Sequence, residues 1–441
     1  MIETLWYVGG IVFVALGIGL SIGLHELGHL LPAKRFGVKV PAYAIGFGPT
    51  LFKFTRGETT YAIKLIPLGG FITMIGMYPP ESKSKPDQES NKKVGFFADM
   101  ILSARNAHSE HVTAADANRK FYQLPVLKRL VIMFGGPFMN LILGTVLMIG
   151  VLVGIGTQQQ SNLISEVSPC VIANPTIQSE CLASDPASPA VVAGIQAGDR
   201  IESINGVAFE DWNTISQQLQ AGTAANLEIL RGGKNIDLQV TAVNALRVSA
   251  DKNGQIVVDE DGQPILSERP VLGIIFDVER KPETLVAALE KSAWSVGQVG
   301  QMIVTLPQQL TDVAISTFTG QERNPNGAVS VVGIAQISGT VASADSVDFV
   351  DKLATGLLIL ASLNFALFGF NMLPLLPLDG GHIAGGIYES IKRGLFKLLR
   401  KPSPGPADTA LLMPITWFVF ILLMGMSALL IIADLINPIS I

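Results

Sequence analysis

Two histidines and a glutamate stand together in the first apolar stretch of the chain, in the order His25-Glu26-Leu27-Gly28-His29. Residues i and i+4 of a helix lie on one face, so His25 and His29 could present two imidazole nitrogens to one tetrahedral zinc ion. The carboxylate of Glu26 could accept a proton from a metal-bound water. The preceding residues, 8–24, carry no charge. Because ionisable groups at membrane depth are costly, we interpret this cluster as a functional site.

The composition is that of a membrane protein. Of the 441 residues, 49% are hydrophobic and 15% are charged, and the mean hydropathy is +0.43. Residues 5–31, 130–156 and 411–434 are long and apolar enough to span a bilayer. A fourth segment, 353–377, is interrupted by Asn364, Asn371, Pro374 and Pro377. Such residues are tolerated at membrane depth only against protein or a wet cavity, so this broken segment is a second candidate wall of the active site.

The distribution of charge predicts the orientation of the spans. The first basic residue is Lys34, so the N-terminus lacks the basic region of a cleaved signal, and we expect residues 5–31 to be a retained span. Residues 31–129 carry 15 basic and 7 acidic side chains, and residues 378–410 carry 5 and 3. Residues 157–350 carry 10 and 22. The positive-inside rule therefore places the two basic segments in the cytosol, and the acidic segment and both termini outside.

A third metal ligand is expected at the end of the broken segment. A catalytic zinc usually has three protein ligands and keeps one position for water. In Leu378-Asp379-Gly380-Gly381-His382, the Asp379 carboxylate would reach the same cytosolic depth as the two histidines. We prefer Asp379 as the ligand, with His382 as the alternative.

Short β-prone runs follow the first span, at 50–55, 60–66 and 70–74, with a turn at Arg56-Gly57-Glu58. They predict a hairpin beside the catalytic end of that span.

Cys170 and Cys181 lie in the predicted external segment, where a local disulfide is the preferred interpretation and two free thiols the alternative.

Part of the external segment resembles the PDZ family. Residues 188–207 combine a small-residue turn, an expected strand at 200–204 and an Asn205-Gly206 hairpin turn. A polar helix at about 211–220, a strand at 225–231 and a final strand at 271–276 are expected to follow. PDZ domains add an extended peptide as a strand, so this domain could bind peptide tails, or it could be a spacer that only excludes bulky ectodomains.

Over essentially its whole length, the chain resembles the site-2 proteases, a family of intramembrane zinc metalloproteases, and most of all the bacterial branch with one PDZ domain found in actinobacteria. The resemblance is carried by the HExxH motif at 25–29, by Asn371-Met-Leu-Pro374 leading to Asp379-Gly380, by Gly135-Gly136-Pro137-Phe-Met-Asn140, and by Ile66-Pro67-Leu68-Gly69-Gly70-Phe71. One departure is Asn326-Gly327 before Ala328-Val329-Ser330, where relatives tend to have Gly-Pro before the serine.

The resemblance implies an enzyme that cleaves transmembrane segments with one zinc ion, held by His25, His29 and Asp379, and with Glu26 as general base. Asn364 and Asn371 could hold the extended substrate backbone or the developing oxyanion, or could only stabilise the broken helix. The implied substrates are single-pass membrane proteins such as anti-sigma factors or remnant signal peptides, and no nucleic acid is expected. The alternatives are a non-catalytic PDZ membrane adaptor and a membrane zinc protease that acts on loop or soluble segments.

The predicted fold is therefore a polytopic α-helical membrane protein with four transmembrane segments, a membrane-associated β-hairpin region and an extracytoplasmic PDZ-like α/β domain. We expect it in the bacterial plasma (inner) membrane, with the active site near the cytosolic side. The expected regions are 1–76 (first span, HExxH and β region), 77–129 (cytosolic loop and amphipathic helix), 130–156 (second span), 157–282 (external region, PDZ at about 160–245), 283–350 (amphipathic membrane-surface helices), 351–382 (broken span), 383–410 (basic cytosolic loop) and 411–441 (last span).

Overall fold

The structure is a computed structural model that describes residues 2–79, 101, 116–172, 180–182, 184–210, 216–249, 264–324 and 327–439. The chain folds as two compact units, one formed by Met1–Ile155 with Glu283–Ile441 and the other by Gly156–Pro282. Most of the expected loop and amphipathic helix at 77–129 falls outside the described residues, as does the first half of the helix expected at about 211–220.

Seven helices and two long strands make up the described part of the first unit: α1 (Ile2–Arg35), β1 (Ala42–Arg56), β2 (Thr59–Thr73), α2 (Val126–Ile149), α3 (Leu285–Thr319), α4 (Val331–Ser343), α5 (Phe349–Asn371), α6 (Asp379–Leu398) and α7 (Met413–Ile436). A π-helical turn, Gly150–Ile155, extends α2, and a 3-10 turn, Thr409–Leu412, precedes α7. Four helical segments are long and apolar enough to cross a membrane: Ile2–Arg35, Val126–Ile155, Phe349–Asn371 and Thr409–Ile436. They match the four spans expected from hydropathy.

The interruption of the fourth span lies later than expected. The helix α5 is continuous through Asn364 and ends at Asn371, and α6 begins at Asp379. Residues 372–378 form the break, which contains a cis peptide bond between Leu376 and Pro377. An asparagine whose side chain finds partners in neighbouring helices does not end a helix, whereas the two prolines remove backbone donors. The break therefore places Asp379 at the start of a new helix.

The spans approach one another at glycines. A Cβ atom on Gly135 of α2 would overlap the carbonyl oxygen of Gly28 in α1, and one on Gly144 would lie 2.9 Å from the ring of Phe365 in α5. A Cβ on Gly10 of α1 would lie 2.8 Å from Ala342 in α4. In lipid, where apolar burial drives little association, such small residues let helix backbones pack closely. These contacts fix α1 against α2 and α4.

The expected β-prone runs form a more extended hairpin than predicted. Arg56 pairs with Thr59 across the turn. The first part of β1, Ala42–Ile45, pairs with both Thr60–Ile63 and Gly70–Thr73, so it lies between the two ends of β2. Within the described residues, no strand pairs with the outer edge of Gly70–Thr73.

The second unit is a sheet with a hydrophobic core of its own. Its strands are β3 (Thr157–Val167), β4 (Arg200–Ile204), β5 (Val207–Ala208), β6 (Ala224–Arg231), β7 (Lys234–Thr241), β8 (Val243–Val248), β9 (Leu266–Val271) and β10 (Ile274–Lys281). The order is β10-β3-β4-β6-β7 with β5 on β4, and β8 pairs with β9 separately. Ile164, Ile201, Leu227 and Ile229 are fully buried in this unit.

Local sequence accounts for most of this unit. The strands expected at 200–204 and 225–231 are present as β4 and β6. Asn205 and Gly206 have φ angles of 51° and 80°, as a tight hairpin turn between right-twisted strands requires. The prediction of a single strand at 271–276 is wrong in its bounds, because β9 ends at Val271 and β10 starts at Ile274. Gly273, with φ of 79°, makes the turn between them.

An ion pair with a buried carboxylate supports this sheet. Asp199 is 1% exposed and accepts hydrogen bonds from Nε and Nη2 of Arg231, at 2.6 and 2.7 Å, and from the amide of Gln196 at 2.8 Å. Burial by itself would raise the pKa of Asp199, but these bonds and the charge of Arg231 hold the pKa below its ordinary value. The ionised pair fastens the entry of β4 to the end of β6.

The structure joins Cys170 and Cys181 in a disulfide. We expect peptide mapping of the unreduced protein to recover the two cysteines in one cross-linked species that separates on reduction. Closing so short a loop should stabilise the second unit by about 2–3 kcal/mol in the chain-entropy description. Alkylation of both thiols in the unreduced protein, isolated with alkylating agent present throughout, would contradict the bond.

Candidate metal centre

Three side chains from two distant parts of the chain converge on one point. His25 and His29 project from the same face of α1, with their Nε2 atoms 3.2 Å apart. The Oδ2 atom of Asp379 lies 3.2 Å from Nε2 of His25 and 3.4 Å from Nε2 of His29. In the described part of the chain, these residues form the group of potential metal ligands whose donor atoms all lie within 4.8 Å of one another.

The hydrogen bonds behind the histidines determine which nitrogen carries the proton. Nδ1 of His29 lies 2.7 Å from the carbonyl oxygen of Ile132, which can only accept, so Nδ1 is the donor. The side chain of Asn140 donates from Nδ2 to Oδ1 of Asn364 at 2.9 Å. Its own Oδ1 therefore accepts from Nδ1 of His25, at 2.5 Å. In their neutral form, both imidazoles thus direct the lone pair of Nε2 towards Asp379, as metal-binding histidines direct it towards a metal.

This geometry fits a metal ion. Within the described residues, Asp379 Oδ2 is buried and accepts no hydrogen bond. With Nδ1 of each ring donating, two imidazole Nε2 atoms and one carboxylate oxygen lie within 3.4 Å of one another. A bound cation would stabilise this arrangement. Two neutral imidazoles and one carboxylate match the three-ligand set of catalytic zinc, with a fourth position left for water. Of the expected ligands, His25, His29 and Asp379 are brought together.

Asp379 is held in place by close backbone packing at the start of α6. A Cβ atom on Gly380 would lie 2.6 Å from the carbonyl carbon of Leu373, and one on Gly381 would lie 2.6 Å from the amide nitrogen of Leu376. No other residue type fits between the break and the helix without moving one of them. The pair Gly380-Gly381 therefore presses the first turn of α6 against the break.

An ionic cluster around a buried carboxylate fastens the same helix to α2. Glu389 of α6 is 1% exposed and lies 2.6 Å from Nη2 of Arg129 and 2.7 Å from Nη2 of Arg393. It also accepts the amide of Ala407 at 2.8 Å. Burial by itself would raise the pKa of Glu389, but Arg129, the Ala407 amide and Arg393 hold it below the usual range. The ionised cluster fixes α6, and hence Asp379, relative to α2.

Glu26 faces the cavity that contains the three candidate metal ligands. The cavity has a volume of about 560 Å³ and is lined by residues from α1, β2, α4, α5 and the start of α6. His25, His29, Asp379, Asn371 and His382 all contribute to its wall. The Glu26 side chain is 8% exposed and lies against β2, where a Cβ on Gly70 would come within 3.1 Å of its Cγ.

The hairpin is fastened directly to the part of α1 that carries the candidate metal ligands. The hydroxyl of Tyr43 in β1 donates a 2.6 Å hydrogen bond to the carbonyl oxygen of Gly23. Burial and the nearby charge of Glu26 raise the pKa of Tyr43 to about 12, so this hydroxyl remains a donor at neutral pH. The edge of β2 is thereby held beside Glu26.

The structure separates the two asparagines that the sequence grouped together. Asn371 lines the cavity, whereas Asn364 is completely buried. Nδ2 of Asn364 donates to Oγ of Ser21 and to the carbonyl oxygen of Leu360, and its Oδ1 accepts from Asn140. These contacts give Asn364 no direct access to a substrate. We propose that it positions His25 through Asn140 instead.

Asn140, Ser21 and Gly136 are contributors that sequence reasoning does not assign to the site. The motif containing Gly136 and Asn140 is recognisable, but which histidine it meets depends on how α2 crosses α1. A Cβ on Gly136 would overlap Nε2 of His29 and lie 2.8 Å from Nε2 of His25. The signal available in the sequence is a polar side chain, Asn140, in the middle of a span.

Comparisons with known proteins agree with this chemistry. The model of the family described as peptidase family M50 matches residues 13–400. The chain is 31% identical to zinc metalloprotease Rip1 of Mycolicibacterium smegmatis, with 98% of each chain covered, and 29% identical to Rip1 of Mycobacterium tuberculosis, again with 98% of each covered. It is also 25% identical to the regulator of sigma-W protease RasP of Bacillus subtilis, over 88% of this chain and 91% of RasP.

Replacing Gly136 by alanine tests the site without changing a ligand. The added methyl group would occupy space next to both Nε2 atoms, so we expect Gly136→Ala to lower zinc content well below one ion per chain. Gly150→Ala is the matched control, since a Cβ there meets nothing within 4 Å. Elemental analysis of folded, purified protein measures the difference. Full zinc in Gly136→Ala would contradict the arrangement.

Proposed function

The chain belongs to peptidase family M50 and is a membrane zinc metalloprotease of the site-2 type; from this premise, we propose that it hydrolyses peptide bonds within transmembrane segments of single-pass membrane proteins. One observation carries the proposal. The cavity with Glu26 and the three convergent donor atoms lies among apolar spans and beside an unpaired strand edge. Zinc is its cofactor, and we propose one ion per chain, held by His25, His29 and Asp379.

The chain's own residues supply the proton transfers. When bound, zinc polarises the scissile carbonyl and acidifies a bound water. We assign Glu26 to accept a proton from the attacking water and to deliver a proton to the leaving amine nitrogen. Its confinement between α1 and β2 would keep the carboxylate oriented toward the cavity. Asn371, on the cavity wall, remains the candidate to bind the substrate backbone or the developing oxyanion.

A substrate helix must be unwound before its peptide bonds can be attacked. In a helix each backbone carbonyl accepts a hydrogen bond from the amide four residues later. In lipid, a backbone group freed from this bond needs a new hydrogen-bonding partner. The outer edge of Gly70–Thr73 offers a row of backbone donors and acceptors. We propose that the substrate adds to this edge as an extended strand, which would bring it alongside Glu26.

The proposed substrates are membrane-anchored regulators, such as anti-sigma factors, and remnant signal peptides. The similarity to RasP, which is named as a regulator of sigma-W, supports the first class. Both classes present a single apolar helix. The chemistry of the cavity wall, with isoleucine and leucine beside the metal ligands, suits such a segment.

We propose that the second unit is a PDZ-like domain on the extracytoplasmic side and that it excludes bulky ectodomains. The charge distribution supports this orientation, because residues 157–350 are acidic and the flanking loops basic. The Cys170–Cys181 disulfide also suits an oxidising compartment. On this topology the metal site lies near the cytosolic face. A substrate already trimmed outside the membrane would then pass, which makes this enzyme the second protease of a cascade.

Glu26→Gln should abolish cleavage and leave zinc and fold intact, because glutamine matches glutamate in size but cannot accept the proton. A loss of at least 10²-fold in kcat is expected for a general base. Turnover of a transmembrane substrate and zinc content are measured on the same preparation. Substantial turnover by the variant would remove Glu26 from its role.

Removing the second unit tests its role as a filter. Gly156 lies beside Lys281 and Pro282, so a short linker can replace residues 156–282. The truncated protein should still cleave substrates with short ectodomains and should newly cleave those with long ones. If a truncated protein that is inserted and zinc-loaded cleaves nothing, the unit is a docking site and the filter proposal fails.

A further inference from the structure

The active-site cavity continues away from the metal ligands as an apolar groove between α1 and α5. Ile18, Ile22 and His25 of α1 recur at helical spacing and line one wall. Leu363 and Leu367 of α5, four residues apart, line the other. The groove is thus polar at the metal end and aliphatic over the rest of its length.

The groove has a definite length. Ile18 and His25 are seven residues apart, which is about 10.5 Å along a helix that rises 1.5 Å per residue. An extended peptide advances about 3.3 Å per residue. About three substrate residues therefore fit between the metal cluster and the level of Ile18.

Two contacts close the groove at that level. A Cβ on Gly17 would lie 2.5 Å from Cδ1 of Leu360, so α1 and α5 touch there. Val331, the first residue of α4, lies in the cavity wall and is 40% exposed. Ser338 donates to the carbonyl oxygen of Gly10, and Val331 shares the cavity wall with Ile18, so α4 runs antiparallel to α1 and brings Val331 toward the Gly17 end.

Val331 is held rigidly from behind. Oδ2 of Asp434 accepts the amides of Ser330, at 2.7 Å, and Gly333, at 3.1 Å, on either side of Val331. Oδ1 of the same carboxylate pairs with Nη1 of Arg323 at 2.5 Å. Both charged side chains are 2% exposed. Because this buried ion pair holds the first turn of α4 in place, Val331 has little freedom to move aside for a larger substrate side chain.

We infer that Val331 is a specificity-determining residue, which limits the size of the substrate side chain about three residues to one side of the cleaved bond. The inference rests on the proposed intramembrane cleavage and deepens it. Small and medium aliphatic side chains would fit against Val331, and an indole ring would collide with it.

A positional scan tests this limit. In a transmembrane substrate that the wild-type protein cleaves, tryptophan is placed at each of the five positions on either side of the cleaved bond. Wild-type kcat/KM should fall at least tenfold at one position, about three residues away. Val331→Ala should recover at least tenfold there and nowhere else. Val331→Trp should lower cleavage of a substrate with leucine at that position and should leave cleavage of a substrate with glycine there unchanged. Val332→Ala is the matched control, since Val332 does not line the cavity.

A second readout does not require turnover. A photoreactive benzoylphenylalanine is placed at position 331 in the Glu26→Gln protein, and the substrate carries glycine at the position found in the scan, which leaves room for the larger side chain. The captured substrate residue is identified by mass spectrometry. Capture at the position found in the scan supports the inference. Capture elsewhere, no capture, or variants whose effects are equal at all positions overturn it. These failures differ from failure of the proposed function, in which the wild-type protein cleaves no transmembrane substrate at all.

Discussion

A directed chain of buried hydrogen bonds runs behind the three candidate metal ligands, and the orientation of His25 depends on it. Ser21 donates to the carbonyl oxygen of Gly17 and accepts from Asn364, which accepts from Asn140, which accepts from His25. Each member has one arrangement that satisfies its neighbour, so the proton on His25 is fixed at Nδ1. Unsatisfied polar groups are expensive at this depth, and the network is satisfied throughout. The network therefore leaves Nε2 of His25 available as the ligand atom, and no side chain has to move to expose it.

The same network joins the helices that carry the site. Ser21 belongs to α1, Asn140 to α2 and Asn364 to α5, so the bonds that orient His25 also hold three spans together. Close approach at glycines lets the polar side chains reach one another, since a Cβ at Gly28 or Gly135 would push α1 and α2 apart. Asp379 is positioned separately, by the break after α5 and by the ionic contacts that hold α6 against α2. Positioning and ligand binding are thus shared among elements far apart in sequence.

Much of the site could be predicted from local sequence. The spacing of His25 and His29, the adjacent Glu26 and the depth of Asp379 depend on helical periodicity and topology, and both can be deduced from one sequence. The four apolar helices likewise followed from hydropathy. The role of Asn364 did not, because it depends on which face of α5 meets α2, a tertiary fact. The return of Gly70–Thr73 to β1 is likewise set by long-range pairing, which short runs of β-prone residues do not encode.

X-ray absorption at the zinc edge of the full-length protein reports which atoms bind the ion, and so tests the proposed ligand set of His25, His29 and Asp379. We expect a first coordination shell of nitrogen and oxygen donors alone, at about 2.0–2.2 Å, with imidazole scattering from two histidines. In Asp379→Ala, whose histidines keep their orienting bonds, the protein-derived oxygen should disappear and zinc should bind more weakly. A sulfur shell at about 2.3 Å, or an unchanged spectrum and affinity in Asp379→Ala, would contradict this ligand set.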